Sequence, residues 1–345
     1  MLLSFVIPAF NVAPYIKDCI NSILSQIEDD GKVEVIIIDD GSIDETFSIV
    51  NDLMGHLKNI KLKTQTNQGV SVARNEGVLI SEGDFIVFLD ADDKIEPNTL
   101  KKLLMAINHT LSDMIILGYK KINSDNKCLY RTSYENYSDD NFFELKTYYA
   151  TIGENDFFAD TNRCWGIAYR SECLKKLNNP FPVGVPYLED AAFLAKFFMV
   201  MESYSLLNLC FCSRLMREGS AVNSDLFVTN KSINGFNLAI IDIDKFRNSS
   251  ELNKIFGKDR IIHLNQTLIK FITLRIISAM NSKSMNLIKS TISDSTIKKV
   301  PFNLNGVRYP FNFWGRLYKT SVFLFIGMFF FQSRFRFALS RLKKV

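Results

Sequence analysis

The sequence predicts an α/β fold, with a mostly parallel, Rossmann-like sheet flanked by helices and a helical extension after it. Over the first 120 residues, short apolar runs alternate with amphipathic stretches of helical period, the pattern of strand–helix–strand units. The runs are unbroken Val, Ile, Leu and Phe, as in strands buried on both faces. Several end in polar clusters, and in such sheets ligands sit beyond the carboxyl ends of the strands.

Residues 2–8 form an apolar run that closes on Pro8 and reads as a buried strand. Residues 14–26 place Ile16, Ile20, Ile23 and Leu24 at helical spacing, with Pro14 near the first turn, where its missing amide proton is not needed. Residues 33–38 give a second strand. It stops at Asp39-Asp40-Gly41-Ser42, a turn cluster able to cap a helix through Phe47 and Leu53. Residues 60–63 read as a strand, 70–80 as a helix, and 85–89 as a strand ending in Asp90-Ala91-Asp92-Asp93. Pro97 opens one more helix, and 114–119 closes the series. Residues 121–160 are polar and aromatic and read as a loop-rich insertion. Regular structure returns at 164–170 and at 188–202, a helix with Phe193, Leu194, Phe197, Phe198 and Val200 on its apolar side. The expected division is a sheet domain over 1–223, a helical extension over 224–300 and a tail over 301–345.

Composition excludes several classes. With 47% hydrophobic and 23% charged residues in 345, wholesale disorder is ruled out. The net charge of +4 is uneven: residues 301–345 hold eight Lys/Arg, no acid and 10 of the 29 Phe. The remaining body therefore carries −4, and no nucleic-acid partner is expected. A slightly acidic body with a basic, Phe-rich end suggests an anionic membrane surface as partner; a helix packed on the body would explain the same residues. Residues 321–331 carry no charge, but about twenty apolar residues are needed to span a bilayer. Six cysteines without a C-x-x-C pair, and three His, do not suggest zinc. The first residues lack the basic start and long apolar run of a signal peptide. The expectation is a cytoplasmic protein, peripheral on the inner face of the cell membrane.

Asp90-Ala91-Asp92 after a buried strand carries the chemistry. Two carboxylates one residue apart can hold Mn²⁺ or Mg²⁺, which takes its other oxygens from water and substrate phosphates. A solvated turn before the next helix would look the same. An aspartyl phosphotransferase needs a hydroxyl residue where Lys94 stands, and no G-x-G-x-x-G follows the first strand for a dinucleotide.

Four stretches then appear in order: Ser4-Phe5-Val6-Ile7-Pro8-Ala9-Phe10-Asn11, Val35 to Asp44 through Asp39-Asp40-Gly41-Ser42, Asn67-Gln68-Gly69-Val70-Ser71-Val72-Ala73-Arg74-Asn75, and Phe88-Leu89-Asp90-Ala91-Asp92-Asp93. Together they resemble the amino-terminal half of the family-two glycosyltransferases, closely over residues 1–120 and more loosely to 223. The resemblance implies a GT-A fold and a metal-dependent, inverting transfer from a nucleotide sugar, of UDP type, to a saccharide hydroxyl. It implies that Pro8 and Phe10 lie on the nucleotide side, Phe10 along the base, and that Asp40 bonds the uracil ring. Arg74 then stands beside the donor, Asp90 near the diphosphate, and Asp92 is the direct metal ligand with help from Asp90. Leu188-Glu189-Asp190 resembles the family's acidic pair, which makes Asp190 the catalytic base and Glu189 its orienting neighbour. Trp165 falls in the segment that lines the acceptor side, and Arg217 in the mobile basic segment that can neutralise the leaving diphosphate.

Plainer readings stand beside these. Phe10 could be core, Asp40 or the acidic pair could cap helices, and Arg217 could be a solvated arginine. Tail and family together suggest a polyprenyl-diphosphate-linked acceptor in bacterial surface-polysaccharide (O-antigen or capsule) assembly. The rival function is a non-catalytic nucleotide-sugar or glycan-binding module.

Overall fold

The computed structural model describes residues 1–28, 30–55, 59–132, 142–144, 163–185, 188–216, 230–248, 258–281, 284–301, 303–304, 311–321 and 324. The chain divides into two compact units, Met1–Ser224 and Asp225–Val345.

The first unit is built on one sheet. Its strands are β1 Leu3–Ala9, β2 Val33–Asp39, β3 Ile60–Thr64, β4 Phe85–Phe88, β5 Lys94–Ile95, β6 Met114–Ile122, β7 Cys128–Arg131, β8 Phe142–Glu144, β9 Ile167–Arg170 and β10 Ser203–Leu215. They lie in the order β3-β2-β1-β4-β9-β6-β10-β5, with β7 beside β6 and β8 beside β10. The β3-β2-β1-β4 run and the β6–β10 pair are parallel; β9 lies antiparallel between β4 and β6. The long strands are therefore parallel and their carboxyl ends form one edge. β2 is buried at every position, as the apolar run from Val35 to Ile38 requires, and Glu34 and Asp39 are buried with it.

Helices α1 Ala13–Leu24, α2 Thr46–Met54, α3 Val70–Ile80, α4 Leu100–His109, α5 Ser171–Lys175 and α6 Glu189–Val200 connect these strands. Gly77 lets α3 press onto β1, since a Cβ there would lie 2.2 Å from Val6 Cγ1.

Two sequence expectations change. The helix α6 has no polar side: every residue from Ala191 to Val200 is buried, Lys196 included. Its aromatic residues join a cluster in which Phe181 stacks on Phe193 at 4.2 Å and Tyr169 meets Phe197 edge-on at 4.9 Å. The stretch read as loop-rich contributes β7, β8 and the last residues of β6. β7 is exposed at all four positions and carries no buried-strand pattern; its pairing with β6 alone makes it a strand.

In the second unit, α7 Asn230–Arg247 packs against α8 Lys258–Asn281. Phe236, Ile240 and Ile243 from one helix and Leu268, Phe271 and Ile272 from the other are buried. Shorter helices follow at Met285–Ser293, Ser295–Lys298 and Phe311–Thr320. Buried Arg275 donates to the Thr291 carbonyl at 2.9 Å and to Asp294 at 2.7 Å. Among the described residues no helix is long and apolar enough to cross a membrane. The expected lipid-facing run lies almost wholly outside the described residues.

Candidate active site

The predicted site residues collect along the carboxyl edge of the sheet. Phe10 follows β1 and is 46% exposed, so it is not core. Its loop is fixed to the one after β2: the Asn11 amide donates to Ser42 Oγ at 3.0 Å, and the Ile43 amide to Asn11 Oδ1 at 2.9 Å. Pro8, inside β1, is half-buried.

Asp40 does not cap α2, which begins at Thr46 after Glu45. Its carboxylate instead accepts from the Gln68 and Gly69 amides at 2.9 and 2.8 Å and from the Gln65 side chain at 2.7 Å. The turn of β2 is thereby tied to the entry of α3. Gly69 makes that entry at φ +91°, a conformation open to glycine at no steric cost.

Arg74, on α3 and 3% exposed, is the hub. One terminal nitrogen donates to Asp90 at 2.9 Å, and the other to Asp190 at 2.9 Å and Glu189 at 3.4 Å. The guanidinium also lies 5.3 Å over the Phe181 ring, which joins the ion cluster to the aromatic core. Burial opposes the Arg74 cation, but Cys164, Asp190, Asp90 and Glu189 around it outweigh that and raise its pKa. Burial would likewise raise the Asp90 carboxyl, yet Arg74 and Arg214 hold it below the usual range.

Asp190 and Glu189 stand in the first turn of α6, where helix dipoles favour anions. The preceding Leu188 sits at φ +66° and supplies no side-chain cap, while the Glu189 carboxylate accepts from its own backbone amide. A left-handed leucine costs about 1–2 kcal/mol, so the turn that presents the acidic pair is strained. The second Asp190 oxygen accepts from the Cys164 amide at 3.3 Å. Burial first, and the Asp190 charge second, push Glu189 up to about 7.

Asp92 is half-buried beside Asp90. Among the described residues no group of three or more His, Cys, Asp or Glu could hold a metal ion by itself. Two hard carboxylate donors do fit Mg²⁺ or Mn²⁺, which binds through one or two carboxylates plus water and substrate phosphates. Asp93 is 2% exposed and accepts from the Leu215 amide at 3.0 Å. Burial, then Asp90 and Asp92, raise its carboxyl well above the usual range.

Trp165 is 4% exposed, so its ring is nearly sealed. Arg217 lies outside the described residues. Two contributors were not singled out in the sequence. Phe181 floors Arg74, and Arg214, at the end of β10, lies with its guanidinium 4.6 Å over the Trp165 ring. Arg214 shares the basic segment that drew attention to Arg217; only the strand's end point separates the two.

With this geometry in place, the chain belongs to glycosyl transferase family 2, whose family pattern matches residues 4–176. It is 27% identical over 306 residues to a cholesterol galactosyltransferase of Borreliella burgdorferi, covering 85% of this chain and 78% of that one. It is 28% identical over 207 residues to the uncharacterized glycosyltransferase EpsJ of Bacillus subtilis, a match spanning 60% of this chain and 59% of EpsJ. Among solved structures, Staphylococcus aureus TarS 1-349 in complex with UDP-GlcNAc superposes with a TM-score of 0.61 at 24% identity. That match covers 87% of this chain and 82% of TarS 1-349 and gives the fold, the GT-A arrangement.

Proposed function

We propose that the chain transfers a sugar from a UDP-sugar to a saccharide hydroxyl with inversion at the anomeric carbon. The observation that carries this reading is the Arg74 hub. One buried guanidinium bridges Asp90, at the end of β4, to Asp190, at the start of α6, at 2.9 Å each. A donor-side carboxylate and a candidate base from distant parts of the chain thus share one site. Family membership supports the reaction class.

In the proposed reaction, exposed Phe10 lies along the uracil and Asp40 holds the turn against which the ring edge docks. Asp190 takes the proton of the acceptor hydroxyl, whose oxygen bonds to the anomeric carbon as the bond to the diphosphate oxygen breaks. General-base help of this kind is worth about 10²–10⁴-fold. Glu189, with its raised pKa near 7, orients Asp190 through their common partner Arg74. A divalent ion on Asp92 and Asp90 would supply positive charge to the leaving diphosphate.

The unit carrying β1–β10 is proposed as the catalytic domain, residues 224–300 as a helical extension and 301–345 as a membrane-associating tail. A basic, acid-free, Phe-rich tail supports a peripheral location on the inner membrane face. It also supports a polyprenyl-diphosphate-linked acceptor in surface-polysaccharide assembly.

The test is UDP release from a panel of UDP-sugars with saccharide acceptors, in Mn²⁺ or Mg²⁺ and in chelator. Metal-dependent release with at least one donor–acceptor pair is expected. Binding of UDP-sugars without release for any acceptor would favour the binding-module reading instead.

A further inference from the structure

We propose that Trp165 is a positioning residue that holds the Arg214 guanidinium at the carboxylate edge, where Arg214 receives the donor diphosphate. This rests on the glycosyl-donor reading above and assigns Trp165 a different part from that of an acceptor wall. At 4% exposure its ring has almost no surface left for an acceptor sugar, but its face is occupied by cations.

Arg214 lies 4.6 Å over the Trp165 ring and Arg163 lies 4.9 Å from it. The ring cannot swing. Tyr119 abuts it edge-on at 4.8 Å. Arg163 is locked against the surrounding backbone, donating to the carbonyls of Trp165 at 2.6 Å, Gly166 at 3.2 Å and Leu117 at 2.9 Å. Gly166 makes room for this at φ +62°, since a Cβ there would lie 2.5 Å from the Arg163 guanidinium. The platform is therefore built into the backbone between Arg163 and β9.

What the platform carries is a cation with its donors open. Arg74 is engaged by Asp90, Asp190 and Glu189. Arg214 makes no side-chain hydrogen bond or ion pair with any described residue, yet withdrawal from water is outweighed by the fields of Asp90, Asp93, Asp190 and Asp92, which raise it. A diphosphate arriving at an edge crowded with carboxylates meets repulsion. Among the described residues at that edge, Arg74 has only its buried Nε without a partner, whereas Arg214 can answer with all its donors. Its planar fork suits phosphate oxygens, and a flat aromatic floor removes part of the freedom a long side chain would otherwise lose on binding.

The experiment is calorimetric titration of uridine and UDP, each in saturating Mg²⁺, into the full chain and its variants. Hydrogen bonds to charged groups predict that Arg214→Gln weakens UDP by about 10–100-fold. Uridine should stay within about twofold, because it lacks the phosphates that carry the charged contact. Loss of a desolvated cation–π contact predicts that Trp165→Leu weakens UDP by about 3–30-fold. Trp165→Phe, which keeps a ring face, should recover most of that. The preference for UDP over uridine is the readout, since a merely structural defect would lower both alike. An unchanged preference in Arg214→Gln, or equal losses of uridine and UDP in Trp165→Leu without recovery by Phe, overturns the proposal. If the unmodified chain binds neither compound, the glycosyl-donor reading itself fails and takes this one with it.

Discussion

Replacing Arg74 with Met removes the one cation that three carboxylates share while keeping most of its volume. Arg74 is 3% exposed and meets Asp90 and Asp190 at 2.9 Å and Glu189 at 3.4 Å. At such distances a charge pair is worth about 4 kcal/mol with an effective dielectric constant near 20, before desolvation is subtracted. Breaking a buried pair from one side typically costs about 3–5 kcal/mol, because the partner charge is left uncompensated. We expect a loss in that range at pH 8. The sign of its pH dependence follows from which groups lose their cation. In the variant Asp90 loses the guanidinium that held it below the usual range, and Glu189 loses the cation that opposed its rise. Both therefore rise, and their neutral forms contribute stability at low pH that is lost as pH rises. The gap from the unmodified chain should therefore shrink between pH 8 and pH 5. The assay is urea unfolding followed by indole fluorescence. The chain has two Trp, so a Trp314→Phe background leaves Trp165 to report on the first unit alone. A loss under about 1 kcal/mol, or one unchanged across that pH range, would contradict a buried charge hub.

Three further outcomes are expected. Glu189 is held near 7 when folded, above the ordinary glutamate value of about 4.3. Its neutral form therefore stabilises the fold below about 4.5, and that contribution is lost as pH rises through about 7. Glu189→Gln should flatten that slope and stabilise the chain at pH 8 by on the order of 1–3 kcal/mol, measured by urea unfolding at both pH values. Gly77→Ala should cost about 1–3 kcal/mol through overpacking, and a Val6→Ala partner should recover part of it in a double-mutant cycle; additive losses would refute the contact. Full-length protein should pellet with anionic vesicles, less so in high salt, and a truncation before Phe313 should not. Eleven uncharged residues rise only about 17 Å as a helix. If neither form pellets, the tail is ordinary packing.

β1, β2 and β4 were legible because burial on both faces writes an apolar run, as from Val35 to Ile38 in β2; β5 and β10 were not read as strands. Helix α3 was legible from Val70 to Ile80 by its spacing. β7 and β8 were not: β7 is exposed throughout, and strands of three and four residues owe their form to a neighbour rather than to their own pattern. The polar face expected of α6 was wrong for a related reason: a helix closed in on all sides needs no such face, and even Lys196 is buried there. In the site, motif order pointed to Asp90, Asp92 and Asp190 individually. That Arg74 joins two of them is invisible in sequence, because Asp190 stands 116 positions away and only folding brings the chain ends of β4 and α6 together. Arg214 escaped for want of a pattern that marks where β10 stops.

The most direct test of the account is the comparison of Asp190→Asn with the unmodified chain, in UDP affinity and in single-turnover glycosyl transfer. An amide keeps the shape and can still accept a hydrogen bond from Arg74, but it cannot take the acceptor's proton. UDP affinity within a few-fold of normal, with transfer slowed by about 10²–10⁴, is the expected result. Transfer at a near-normal rate would move the base away from Asp190 and contradict the mechanism at its centre.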